Sequence, residues 1–141
     1  MVDIEVVRNR LSALNEYVAR LDAKRSWSLS QMLADEDAYY AIQHLLQLAS
    51  QAAIDIATHI LAADFSTHAD NYRDVILALG SEGVLPLVFA QRFAAIAGFR
   101  NILIHAYLAV DPQKVHLFLQ TGLEDFRSFA RHIAKYLKEA K

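Results

Sequence analysis

Residues 35–60 read DEDAYYAIQHLLQLASQAAIDIATHI, and the periodicity of this stretch decides the fold. Ala38, Ile42, Leu45, Leu48, Ala49, Ala52, Ile56 and Ile60 recur at three- and four-residue steps, the interval at which one face of a helix returns to a core. The three carboxylates that open it, Asp35, Glu36 and Asp37, suit the positive end of a helix dipole, and Asp35 is placed to cap. The spacing predicts one long, alanine-rich helix.

Toward the N-terminus, Ile4, Val7, Leu11, Leu14, Val18 and Leu21 keep the same period and predict a helix over about residues 3–24. Ser28 followed by Gln31 has the spacing of a capping box. Toward the C-terminus, the stretch Asp64 to Asn71 is polar and aperiodic, which predicts a surface loop. Asn71 can cap a short helix ending near Gly80. After a turn at Gly83, Pro86 suits the first turn of a helix carrying Phe89, Phe93, Ile96, Ala97, Arg100, Ile104 and Tyr107. Asp111-Pro112 closes that helix and can open the next. Thr121-Gly122-Leu123-Glu124 again has capping-box spacing, ahead of a last helix with Leu123, Phe126, Phe129, Ile133 and Leu137 inward. No strand-like alternation competes with these segments. The expected fold is therefore all-α, an up-down bundle of about five or six helices forming a single domain over residues 1–141.

Composition narrows the function classes. With 141 residues, 55% of them hydrophobic, and only four Gly and two Pro, the chain can bury a sizeable core. The absence of Cys excludes disulfides and thiolate metal sites and fits a cytoplasmic setting. Arg92 and Arg100 interrupt the most apolar region, so no membrane span is expected. A net charge of -2 argues against a broad electrostatic grip on nucleic acid, so any such site must be local, and no DNA partner is expected. His44, His59, His68, His116 and His132 lack ligand spacing, and no metal or cofactor is predicted. The aromatic set Tyr39, Tyr40, Phe89, Phe93 and Phe99 reads as core or dimer interface, because no basic residues interleave with it.

The chemistry gathers at Phe99-Arg100-Asn101-Ile102-Leu103-Ile104-His105-Ala106-Tyr107. A fixed cation, a titratable imidazole and a phenol lie within about two helical turns. Guanidinium binds phosphoryl oxygens bidentately, imidazole moves a proton near neutral pH, and phenol can be modified. Spacing alone is weak: nine Arg and six His in 141 positions produce about 0.4 Arg-x4-His pairs by chance. A second match, Arg127 to His132, lies on the amphipathic final helix and reads as a solvated face.

Context separates the two matches. Around Arg100 stand Tyr72-Arg73-Asp74, then Leu79-Gly80-x3-Gly83-Val84-Leu85-Pro86, then Gly98-Phe99-Arg100-Asn101-x3-His105-x-Tyr107, all after the helix containing Ala41-Ile42-Gln43-His44. This arrangement resembles the HepT-like branch of the HEPN superfamily from about residue 3 to residue 138. The resemblance implies a homodimeric toxin of a type VII-like toxin-antitoxin pair, a metal-independent endoribonuclease whose site forms where two Arg-x4-His motifs meet across the dimer. Arg100 and His105 map onto that pair. It further implies a minimal nucleotidyltransferase antitoxin that moves AMP from ATP to the motif tyrosine, here Tyr107.

The residues can also be weighed without the family. Positions five apart on an ideal helix differ by about 140 degrees, so Arg100 and His105 of one chain do not point the same way, and one protomer makes a poor clamp. Arg100 and Tyr107 share a face, as do Asn101 and His105, and Asn101 could orient His105 or hold RNA through its amide. Two antiparallel copies of the helix could join an Arg face to a His face. The alternative from a different class is a non-catalytic helical dimer that serves as scaffold or substrate-binding subunit of a nucleotidyltransferase.

Overall fold

The computed structural model describes residues 1–106 and 109–139. Eight helices follow in order among them: α1 (Ile4–Asp22), α2 (Leu29–Ala34), α3 (Glu36–Phe65), α4 (Tyr72–Ser81), α5 (Leu87–Phe93), α6 (Ala95–His105), α7 (Pro112–Thr121) and α8 (Leu123–Glu139). No strand occurs among the described residues. The all-α expectation holds, and the count exceeds the five or six expected because two segments are divided.

The first division is at Ser28, which accepts from the Gln31 amide at 3.1 Å while the Gln31 side chain accepts from the Ser28 amide at 2.8 Å. That capping box opens a helix of its own, α2, which stops where Asp35 takes extended backbone and caps α3 by accepting from the Ala38 amide. The second division is at Ala94. Its backbone stays right-handed, but the Ala97 amide donates to the Ala94 carbonyl at 3.2 Å, a three-residue step that tightens the turn and separates α5 from α6. Neither Pro nor Gly marks that break.

α3 is the centre of the bundle, packed by α1, α4, α6 and α8. Its buried face runs through Ala38, Ile42, Leu46, Ala49, Ala52, Ala53, Ile56, Ala57 and Ile60. Small alanines on that face let the neighbouring helices approach closely, and larger side chains fill the spaces between. Leu123, Phe126, Phe129, Ile133 and Leu137 of α8 are buried as their periodicity predicts, and so are Val7, Leu11, Leu14, Val18 and Leu21 of α1, while Ile4, expected with them, is half-buried at the start of that helix. Phe93 at the end of α5 stacks on Phe129 at 4.9 Å and meets Phe126 edge-on at 5.8 Å, tying the Arg100 side of the molecule to the last helix.

By length and hydropathy, Glu36–Phe65 and Leu87–His105 could each cross a membrane, yet half of the apolar window of the first lies inside the bundle. The second is the stretch broken at Ala94. α4 continues through Gly80 to Ser81, and the glycine that turns the chain is Gly83, at φ 80°. Gly80 has a packing role instead: a Cβ there would sit 2.7 Å from the Ala90 Cβ, so α4 and α5 touch backbone to side chain. The expected capping box at Thr121 does not form as read. Its hydroxyl turns back to donate to the Leu117 carbonyl at 2.8 Å, within α7.

Candidate functional site

Arg100 lies midway along α6, half-buried against α3 and the start of α4. Its Nε donates to Gln51 Oε1 at 2.7 Å, and one NH1 hydrogen goes to Asn101 Oδ1 at 2.9 Å. The guanidinium also lies over the Tyr72 ring, 5.0 Å from its centre. Two of its five donors are therefore spent on holding its direction.

The hold continues inward. Gln51 Nε2 donates to Asp55 Oδ1 at 2.7 Å, and Asp55 Oδ2 accepts from Arg10 at 3.3 Å. A guanidinium only donates and a carboxylate only accepts, so the Gln51 amide has one orientation that serves both neighbours. The chain Arg100–Gln51–Asp55–Arg10 thus links α6 through α3 to α1. Sequence reading missed Gln51 and Asp55; their signal was a polar pair four residues apart on an otherwise apolar helix.

His105 is the last residue of α6 and is exposed. Arg100 hydrogen-bonds Gln51 and Asn101, not His105, in keeping with their opposed directions on one helix. Asn101 is exposed and accepts from Arg100, so in this protomer its carbonyl braces the cation and not the imidazole. Tyr107 lies outside the described residues, and α6 itself ends at His105 with Ala106 as its C-cap.

Next to Arg100 an open groove of about 420 Å³ runs between the start of α4 and α6, lined among others by Tyr72, Arg73, Ala97, Gly98 and Asn101. Tyr72 keeps 38% of its surface open there. Among the described residues no cluster of His, Asp or Glu has the makings of a metal site. His59 Nε2 accepts from the Asp3 amide, and the His116 ring bonds the Trp27 carbonyl.

The second Arg-x4-His match departs from its expectation. Arg127 pairs with Asp22 at 3.6 Å, while His132 packs 5.5 Å from the Phe89 ring instead of standing in solvent. Burial, with help from Arg131 and Lys135, lowers its pKa. His132 is half-buried among the cations Arg131 and Lys135, while Arg127 of the same match is turned to Asp22.

Comparison with known proteins identifies the family. A family model described as "Ribonuclease HepT-like" matches residues 5–133. The chain is 31% identical over 139 residues to a "tRNA nuclease HepT" of Aphanizomenon flos-aquae, covering 97% of this chain and 95% of that relative. Among solved structures it is similar to a tri-AMPylated Shewanella oneidensis HEPN toxin in complex with MNT antitoxin, at 24% identity and TM-score 0.83, covering 96% of this chain and 99% of that one. It is likewise similar to YutE, a cytosolic protein of unknown function from Bacillus subtilis, at 18% identity and TM-score 0.86, covering 99% and 93%. At these identities the structural likenesses speak for the fold.

Proposed function

We propose that this chain, which belongs to the HepT-like ribonuclease family, is a cytoplasmic toxin that cuts RNA without a metal, using Arg100 and His105 contributed by two protomers. The observation that carries the reading is the fixed guanidinium: Arg100 is tied by Gln51, Asn101 and Tyr72 beside an exposed groove, and its hydrogen bonds leave out the exposed His105 five residues on. A cation whose direction is set before substrate arrives stabilises developing charge without reorganising. Pairing supplies what one protomer lacks. Ile102, 43% exposed, and His105 three residues later share an outward side of α6 on which a second copy can seat.

The reaction follows from these groups. The ribose 2′-hydroxyl loses its proton to a base and its oxygen bonds to phosphorus; the phosphorus–oxygen bond to the next nucleotide breaks, and that leaving oxygen takes a proton from an acid. The imidazoles of two His105 side chains can fill the base and acid roles, and the guanidinium meets the negative charge on the phosphoryl oxygens. The name of the curated relative makes tRNA the substrate to try first. By the same family reading, a nucleotidyltransferase antitoxin silences the toxin by joining AMP from ATP to Tyr107: the phenol loses its proton, its oxygen bonds to the α-phosphorus, and pyrophosphate leaves as the α–β phosphoanhydride bond breaks. Each added phosphodiester brings negative charge to the motif and competes with RNA for Arg100.

Arg100→Ala and His105→Ala are expected to abolish cleavage of purified tRNA while circular dichroism and dimer mass stay unchanged. Incubation with the transferase and ATP should add mass in AMP steps to the wild type and none to Tyr107→Phe. Unmodified wild-type protein that leaves a range of RNAs intact would reverse the reading in favour of a scaffold subunit.

A further inference from the structure

The groove beside Arg100 has the composition of a nucleotide site. Its wall at the start of α4 is Tyr72, a residue 38% exposed with the Arg100 guanidinium over its ring, followed by the exposed Arg73. Its floor on α6 is Ala97, Gly98 and Asn101. A Cβ built on Gly98 meets nothing within 4 Å, so this side of α6 is open to a flat group or a sugar. The volume, about 420 Å³, lies in the range of small-ligand sites.

We infer that this groove binds one nucleotide of single-stranded RNA adjoining the bond that is cut, its base stacked on Tyr72 and its phosphate toward Arg73. The inference rests on the ribonuclease reading and extends it to what holds the substrate. An aromatic ring accepts the face of any base, and an adjacent arginine meets the backbone phosphate, so the site holds RNA without reading a sequence. A chain of net charge -2 cannot hold RNA by general attraction, which makes a local grip of this kind necessary. Asn71 is held in place as the cap of α4, with one hydrogen bond to Asp74 at each end of its amide. Asn101 likewise has its carbonyl committed to Arg100, leaving its NH2 group for the base or sugar. The guanidinium over the ring serves both tasks: it enriches the stacking surface and fixes the distance between the base and the phosphate that Arg100 would meet.

The test separates stacking on Tyr72 from any effect of Tyr72 on Arg100. Total tRNA is first cut by the wild type and the cleaved bond mapped. A single-stranded oligonucleotide spanning that bond is then made with each base in turn replaced by an abasic ribose. Binding to the dimeric His105→Ala protein, which leaves the RNA uncut, is read by fluorescence anisotropy. One abasic position next to the bond should weaken binding about tenfold, and Tyr72→Leu should weaken binding of the intact oligonucleotide by a similar factor. The same abasic position should cost nothing further in Tyr72→Leu, whereas Tyr72→Phe should behave as the parent. Arg73→Gln should lower the slope of log affinity against log salt by about 0.7. Equal abasic losses with and without the ring, or unchanged affinity in Tyr72→Leu, would overturn the subsite and leave the nuclease standing. Wild-type protein that neither binds nor cuts RNA would overturn both.

Discussion

Replacing Gln51 by leucine removes the acceptor for Arg100 Nε and nothing else that touches α6. Arg100 would keep two of its three restraints, Asn101 Oδ1 at 2.9 Å and the Tyr72 ring at 5.0 Å. A hydrogen bond to a charged group contributes about 1.5–3 kcal/mol, and because Arg100 is only half-buried the lower end applies. About 1.4 kcal/mol is a factor of ten in rate if the guanidinium direction matters in the transition state. Leucine is close to glutamine in size, and Asp55 keeps its contact with Arg10, so the bundle should stay folded. The assay is single-turnover cleavage of tRNA, run alongside thermal unfolding. The expected outcome is a rate constant about tenfold lower with a small loss of stability. In an Arg100→Lys background the same substitution should change the rate little, because an ammonium has no Nε–H to place. A rate within twofold of wild type, or an equal loss in both backgrounds, would refute the argument that α3 aims the cation.

Three further outcomes follow from packing and titration. Gly80→Ala would drive a Cβ to 2.7 Å from the Ala90 Cβ, neither of which can swing away, so the urea midpoint should fall by an amount equivalent to about 1–3 kcal/mol. Gly98→Ala, with open space around it on an exposed helix face, should instead gain about 0.5–1 kcal/mol, and a loss there would contradict the described exposure. His132 has a pKa below the ordinary 6.5, chiefly from burial, so the folded state binds fewer protons than the unfolded one. Stability from this group is then present above pH 6.5 and lost on acidification through the lowered value; melting scans from pH 7.5 to 5 should show a shallower decline in His132→Gln.

Much of the bundle is legible locally. The caps at Ser28, Asp35, Asn71 and Asp111 and the buried faces of α1 and α8 follow from short-range spacing, and the structure repeats them. What escapes is whatever depends on contacts far apart in sequence. The break at Ala94 carries no Pro or Gly because it is a tightened hydrogen-bond step and not a reversal of direction. His132 reads as solvated until Phe89, 43 positions earlier, arrives beside it at 5.5 Å. At the site, Arg100 and His105 stand out through the motifs around them and the family these resemble, because their spacing alone recurs at Arg127 and His132. That Asn101 serves the arginine, and that Gln51 stands 49 residues away to receive its Nε, needed the packing of α6 on α3.

The anchoring of Arg100 to its own core, with His105 exposed at the end of α6, has a quantitative corollary for the cell. Under the composite site proposed above, a protomer that keeps its guanidinium at home and lends its imidazole outward would do nothing alone, however well folded. Output would then rise with the square of copy number while monomers predominate, so that a slowly leaking gene would stay harmless and a burst of synthesis would cross a threshold.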